Sequence, residues 1–121
     1  EGDDLDVRQG MLESLAQPER LDPVTQGERW KGVSPVAWHN VATKWLGDLL
    51  AVRLQGTAQF NRDFGAALAR LGPQASLPKL LALMREQANE GRTLTHPLNR
   101  ALQLQAWLVR YRHVFEEERR S

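Results

Sequence analysis

The stretch Thr95 to Arg120, THPLNRALQLQAWLVRYRHVFEEERR, decides the fold class, because its apolar residues recur with a helical period and cover more circumference than one core contact requires. At about 100° per residue, Leu104, Trp107, Leu108, Tyr111, Val114 and Phe115 form one stripe, with Leu98, Leu102 and Val109 on a flank beside it. Together they span roughly 240°, against about 100° for an ordinary amphipathic surface helix. Asn99, Gln103, Ala106, Arg110 and His113 make the wettable strip. Arg100, Gln105 and Arg112 interrupt the apolar arc, as long polar side chains do at packing seams. Thr95 is expected to cap this helix, with Pro97 in its first turn, and the run Glu116 to Arg120 to be a solvated, fraying end. A helix of this kind is either central to its own domain or shared with a partner.

The segments before it read as helices too, and none alternates apolar and polar residues long enough to argue for a strand. Asp4 to Ala16 carries Leu5, Met11, Leu12, Leu15 and Ala16 on one side, weakened by Gly10. Asp22-Pro23 and Ser34-Pro35 are paired start signals, an N-cap followed by proline at the first helical position. They open a short helix to about Lys31, stopped by Gly32, and a long one to about Leu54, stopped by Gly56. The long helix stacks Trp38, Val41, Ala42, Trp45, Leu49 and Val52, adds Leu46 and Leu50 on an adjoining flank, and leaves Asn40, Lys44, Asp48 and Gln55 wet. Phe60, Phe64, Ala67, Leu68 and Leu71 keep helical spacing up to Gly72-Pro73. Ser76 then caps a helix facing inward through Leu77, Leu80, Leu81, Met84 and Ala88 and ending near Glu90-Gly91. The expected fold is all-α, a single compact domain of five to six helices.

The bulk properties narrow the function classes. The chain has 121 residues, enough to bury a core without staples, and no cysteine, which removes disulfides, thiolate nucleophiles and sulfur-rich zinc sites. Sixteen Lys and Arg against fifteen Asp and Glu give a net charge of +1, not the footprint of an autonomous nucleic-acid binder. The acid is concentrated early, at Asp3, Asp4, Asp6, Glu13, Glu19, Asp22 and Glu28. The base comes later, at Arg62, Arg70, Lys79, Arg85, Arg92, Arg100, Arg110 and Arg112. No stretch has the length and hydropathy of a membrane span, and EGDDLD is the reverse of a basic leader, so a cytoplasmic protein is expected. Because it starts without methionine directly before a helical pattern, the chain is expected to be a fragment.

Catalysis finds no foothold. His39, His96 and His113 are isolated from one another, with no HExxH pair, so neither a two-histidine metal face nor a triad takes shape. There is no GxxxxGK[ST] loop for nucleotide phosphates. Trp38, Trp45 and Trp107 sit inside apolar stripes and read as core rather than as base-stacking platforms. Trp30, between Arg29 and Lys31, reads as a lid over the core or an exposed contact. No catalytic, cofactor or metal residues are assigned. The candidate contact residues are Trp30, Leu98, Leu102, Trp107 and Val109.

Two segments carry a family resemblance. Ser76-Leu77-Pro78-Lys79-Leu80-Leu81 followed by Leu98-Asn99-Arg100-Ala101-Leu102 opening a long helix resembles the final domain of bacterial DNA polymerase III clamp-loader subunits, nearest to those of the delta prime type. Pro18-Glu19-Arg20-Leu21-Asp22-Pro23 and Trp45-Leu46-Gly47-Asp48-Leu49-Leu50 extend the likeness over nearly the whole chain, with gamma and tau subunits next in similarity. The resemblance implies a non-catalytic helical collar domain, which holds its subunit in the loader ring beside gamma/tau and delta subunits. It implies DNA contact only through that assembly, no cofactor in this chain, and a domain that is monomeric alone. An independent helical DNA-binding or regulatory domain is the alternative.

Overall fold

The computed structural model describes residues 2–90 and 99–116, and the expected cap Thr95, with Pro97 and Leu98, lies outside them. Six α-helices follow one another among the described residues, with no strand: α1 (Gly2–Leu15), α2 (Pro23–Trp30), α3 (Pro35–Arg53), α4 (Gly65–Leu71), α5 (Leu77–Glu90) and α6 (Arg100–Val114). Single 3-10 turns at Pro18–Arg20, Arg62–Phe64 and Gly72–Gln74 link them.

The starts follow capping chemistry. Asp22 accepts from the Val24 amide and Ser34 from the Ala37 amide, each with proline in the first turn. Ser76 Oγ accepts from the Lys79 amide at 3.4 Å, a long bond opening α5. The start of α6 differs from expectation. Asn99 is extended, and its side chain accepts from the Leu102 amide at 3.0 Å, so it is the N-cap and not a residue just inside the helix. The end of α3 differs by one position. The left-handed residue is Gln55, at φ 79°, and not Gly56. Gln55 N–H donates to Val52 O at 2.9 Å and Gly56 N–H to Ala51 O at 2.6 Å, the double bond pattern of a Schellman end.

One contiguous core joins the helices. Trp45, Trp107, Tyr111, Met11, Leu12 and Leu15 are among its largest fully buried side chains, each of the aromatic ones removing on the order of 150–250 Å² from water. Trp30, Trp38, Trp107, Tyr111 and Phe115 run through it as one aromatic series, with successive ring centroids 5.6, 4.9, 5.4 and 5.2 Å apart. This series crosses from α2 through α3 to α6.

Two inward faces depart from the periodicity. The buried stripe of α5 is Leu80, Leu83 and Gln87, while Leu81 and Ala88 are exposed. The helix is turned so that the Gln87 amide reaches the Trp107 indole. Asp48, expected on the wet side of α3, is completely buried. Phe60, expected to continue a helical stripe, lies in the loop before α4 and is exposed.

Helix α2 packs closely on α6. A Cβ placed on Gly27 would stand 2.8 Å from the Ala101 carbonyl oxygen, a backbone atom that cannot move aside without shifting the helix. Gly10, in contrast, is exposed and has nothing within 4 Å of such a Cβ. Gly27→Ala should therefore destabilise the chain by about 1–3 kcal/mol through overpacking. Gly10→Ala should stabilise it by roughly 0.5–1 kcal/mol through helix propensity. Urea unfolding of the two variants checks the pair, and equal effects would contradict the packing described.

Candidate contact surface

Helix α6 divides its apolar residues between two faces. Leu104, Trp107, Leu108, Tyr111 and Val114 are buried. Leu102 is 57% and Val109 38% exposed, and Ala106 between them is exposed as well. Residues 102, 106 and 109 fall within roughly 60° on a helix of 3.6 residues per turn, so they form one outward stripe. Of the candidate contact residues, then, Leu102 and Val109 lie on the surface and Leu98 lies outside the described residues. Trp30 and Trp107 are corrected: at 5% and 1% exposure they belong to the core. Trp30 is the lid and not the contact, because its ring packs on Trp38, and Trp107 is enclosed between Trp38 and Tyr111.

Beside the stripe, α5 and α6 leave a hollow of about 210 Å³ lined by Lys79, Ala82, Leu83, Glu86, Arg110 and His113. Arg110 Nε and Glu86 Oε1 bridge the two helices at 2.5 Å. Lys79 Nζ donates to the His113 carbonyl at 3.3 Å, and the Ser76 amide donates to the Val114 carbonyl at 2.8 Å. The C-terminal carbonyls of α6, which have no partner within the helix, are thus closed by donors from the start of α5. The surface stripe stands on a fixed base.

A second exposed apolar group is held still by polar chemistry. The buried Asp48 carboxylate accepts from the backbone amides of Gln59 at 2.7 Å, Phe60 at 3.1 Å and Asn61 at 2.7 Å, and from Asn61 Nδ2 at 3.0 Å. Four N–H donors offset the cost of taking a carboxylate out of water. Arg8 Nη2 donates to Asn61 Oδ1 at 3.0 Å and to Asp63 at 2.9 Å, tying α1 to the same loop. The Arg8 hydrogen bond holds the Asp63 carboxyl below the usual carboxylate range. Phe60, 58% exposed, projects from this clamped loop, with Lys44 Nζ 5.9 Å from its ring centre.

Sequence reasoning missed Asp48, Gln87 and Phe60. A signal existed for Gln87, which stands at i+7 from Leu80 and i+4 from Leu83, in line with an apolar stripe. None existed for Asp48, whose partners are mainly backbone amides, which carry no side-chain code.

Among the described residues, no three His, Asp or Glu side chains gather where a metal ion could sit, and no helix is long and apolar enough to cross a membrane. Comparison with protein families, with curated proteins and with solved structures finds no match to the chain. The surface geometry suits docking. It offers apolar groups on rigid supports.

Asp48→Asn leaves one acceptor oxygen for three amides and turns an NH₂ toward them, so it should cost about 2–3 kcal/mol. Hydrogen exchange at Gln59, Phe60 and Asn61 should accelerate in parallel, and unchanged protection there would contradict the clamp. Asp63, with its folded value lowered, contributes stability that is present above the unfolded value and lost as pH falls through the folded one. Asp63→Asn should accordingly cost less than about 1 kcal/mol at pH 7, since the pair is half exposed, and should flatten the loss of stability below about pH 4. An acid unfolding curve that keeps the parent's steepness would contradict this.

Proposed function

We propose that the chain is a non-catalytic docking module, the collar domain of a clamp-loader subunit of the delta prime type, acting in DNA replication in the cytoplasm. The observation that carries the docking half of this reading is the outward stripe Leu102, Ala106 and Val109 on a helix whose opposite face already fills the core. A helix that only closed its own domain would have no use for large apolar residues on both sides. The collar half rests on the resemblance of the segments around Pro18–Pro23, Trp45–Leu50, Ser76–Leu81 and Leu98–Leu102.

Mechanistically, the buried aromatic series and the interhelical bridges make a block that does not deform on contact. A neighbour then loses little conformational freedom in docking against it. Gamma/tau and delta subunits are the proposed neighbours, in heterologous contacts that leave this domain monomeric alone. DNA contact belongs to the assembly.

The rival reading, an autonomous DNA-binding domain, draws less support. Several cations have internal partners: Arg8 with Asp63, Arg53 with the Ala75 carbonyl, Arg70 with the Ala16 carbonyl, and Arg110 with Glu86.

Leu102→Glu with Val109→Glu, placed in a full-length subunit, should leave thermal stability nearly unchanged, since both residues are at the surface. Association with purified gamma and delta subunits, followed by analytical ultracentrifugation, should weaken by about tenfold or more. Normal assembly of the doubly substituted subunit would overturn the assignment of this stripe.

A further inference from the structure

A line of three side chains leads from the core to a second hollow. The Trp107 indole N–H can only donate, and it donates to Gln87 Oε1 at 2.8 Å. The Gln87 amide nitrogen is thereby turned toward His39 Nδ1, 3.0 Å away. An amide NH₂ can only donate as well, so Nδ1 accepts and the ring proton stands on Nε2. The tautomer of His39 is set by a tryptophan two residues removed in the chain of bonds. Gln87 is 3% exposed and cannot turn over without leaving the indole N–H facing another N–H.

His39 is half-buried, and its Nε2–H has no hydrogen-bond partner among the described residues. With Thr43, Leu46, Met84, Gln87 and Ala88 it lines a hollow of about 380 Å³ between α3 and α5. Leu46, Met84 and Ala88 give apolar walls, and Thr43 lies one helical turn from His39. Apolar walls with one or two oriented polar groups are the usual make-up of a recognition pocket, and this volume is at the small end of the roughly 300–1,000 Å³ range.

We propose that this hollow is a recognition site for a peptide segment of a partner protein, which inserts an aliphatic side chain against Leu46, Met84 and Ala88. The backbone carbonyl of that segment accepts from His39 Nε2–H. The charge of the lining selects this occupant: none of the six residues carries a formal charge with His39 neutral, so a carboxylate or a phosphate would enter without a counter-ion. A peptide carbonyl is the neutral acceptor that arrives attached to an apolar side chain. Nucleic acid, which needs cations, is disfavoured on the same ground. The site deepens the docking reading and rests on it for the peptide origin of the occupant.

The test uses the chain alone, so its outcome is separate from any test of ring assembly. N-acetyl-L-leucine N′-methylamide is titrated into the ¹⁵N-labelled chain, with N-acetyl-L-leucine as the charged comparison. The expected result is saturable shifts at His39 Nε2 and at the Trp107 indole N–H, with a dissociation constant in the millimolar range for a probe this small. The carboxylate probe should bind about tenfold more weakly. Ala88→Phe, at an exposed position, should fill the hollow and abolish the shifts while leaving the Trp107 indole resonance of the free chain in place. His39→Leu should weaken binding by about tenfold. Absence of saturable shifts up to the solubility limit of the amide probe would overturn the proposal. So would equal binding of the two probes, or undiminished binding to the folded Ala88→Phe variant.

Discussion

The hydroxyl of Tyr111 is the point on which the rest of the structure depends. It accepts from the Trp45 indole N–H at 2.9 Å and donates to the Leu15 carbonyl at 2.5 Å, joining α6, α3 and the end of α1 in one buried node. Burial pushes the phenol well above its ordinary range, which favours the protonated, donating form. Both partners are obligatory hydrogen-bonding groups with no water to turn to. Around the node, the Tyr111 ring stacks on Trp107 and meets Phe115 edge-on. The polar contact thus fixes the rotation of α6, and that rotation decides which of its apolar residues are left outside.

The same logic recurs at the helix ends. The carbonyl just past the end of α1, that of Ala16, accepts from Arg70 at 2.8 Å, and the Ala75 carbonyl accepts from Arg53 at 2.9 Å. These are tertiary closures of groups that local capping leaves open. They place the helices relative to one another more sharply than apolar contact does, since burial has no direction and a hydrogen bond has one. In the docking role proposed above, that rigidity presents the surface in one arrangement.

The parts of this architecture that repeat with the helical period were legible in the sequence. Six helices, the proline-led starts at Asp22 and Ser34, and the stripe Leu104, Trp107, Leu108, Tyr111 all follow from spacing. The starts were read well because a cap is a local, side-chain event. Asn99 was misplaced, as an asparagine beside leucines fits a wet strip as well as it fits a cap. The faces that escaped prediction are those where a polar group is buried. Gln87 and Asp48 look like solvent residues until their partners, an indole N–H and a series of loop amides, are brought up by tertiary structure. Of the candidate contact residues, the excess apolar circumference picked out Leu102 and Val109, and these lie exposed. The tryptophans were not separable from the core by composition, since a large aromatic ring suits both places.

The Asp48 clamp has a consequence for how this chain can drift in evolution. Its carboxylate reads backbone amides at Gln59 and Phe60, and those amides are present whatever side chains the two residues carry. The loop's identity can therefore diverge while its shape is inherited, with proline as the forbidden choice because it lacks the N–H. Constraint falls instead on Asp48 and on Asn61, whose side chain joins the clamp. An exposed position such as Phe60 can thus be exchanged for another side chain without rebuilding the scaffold beneath it.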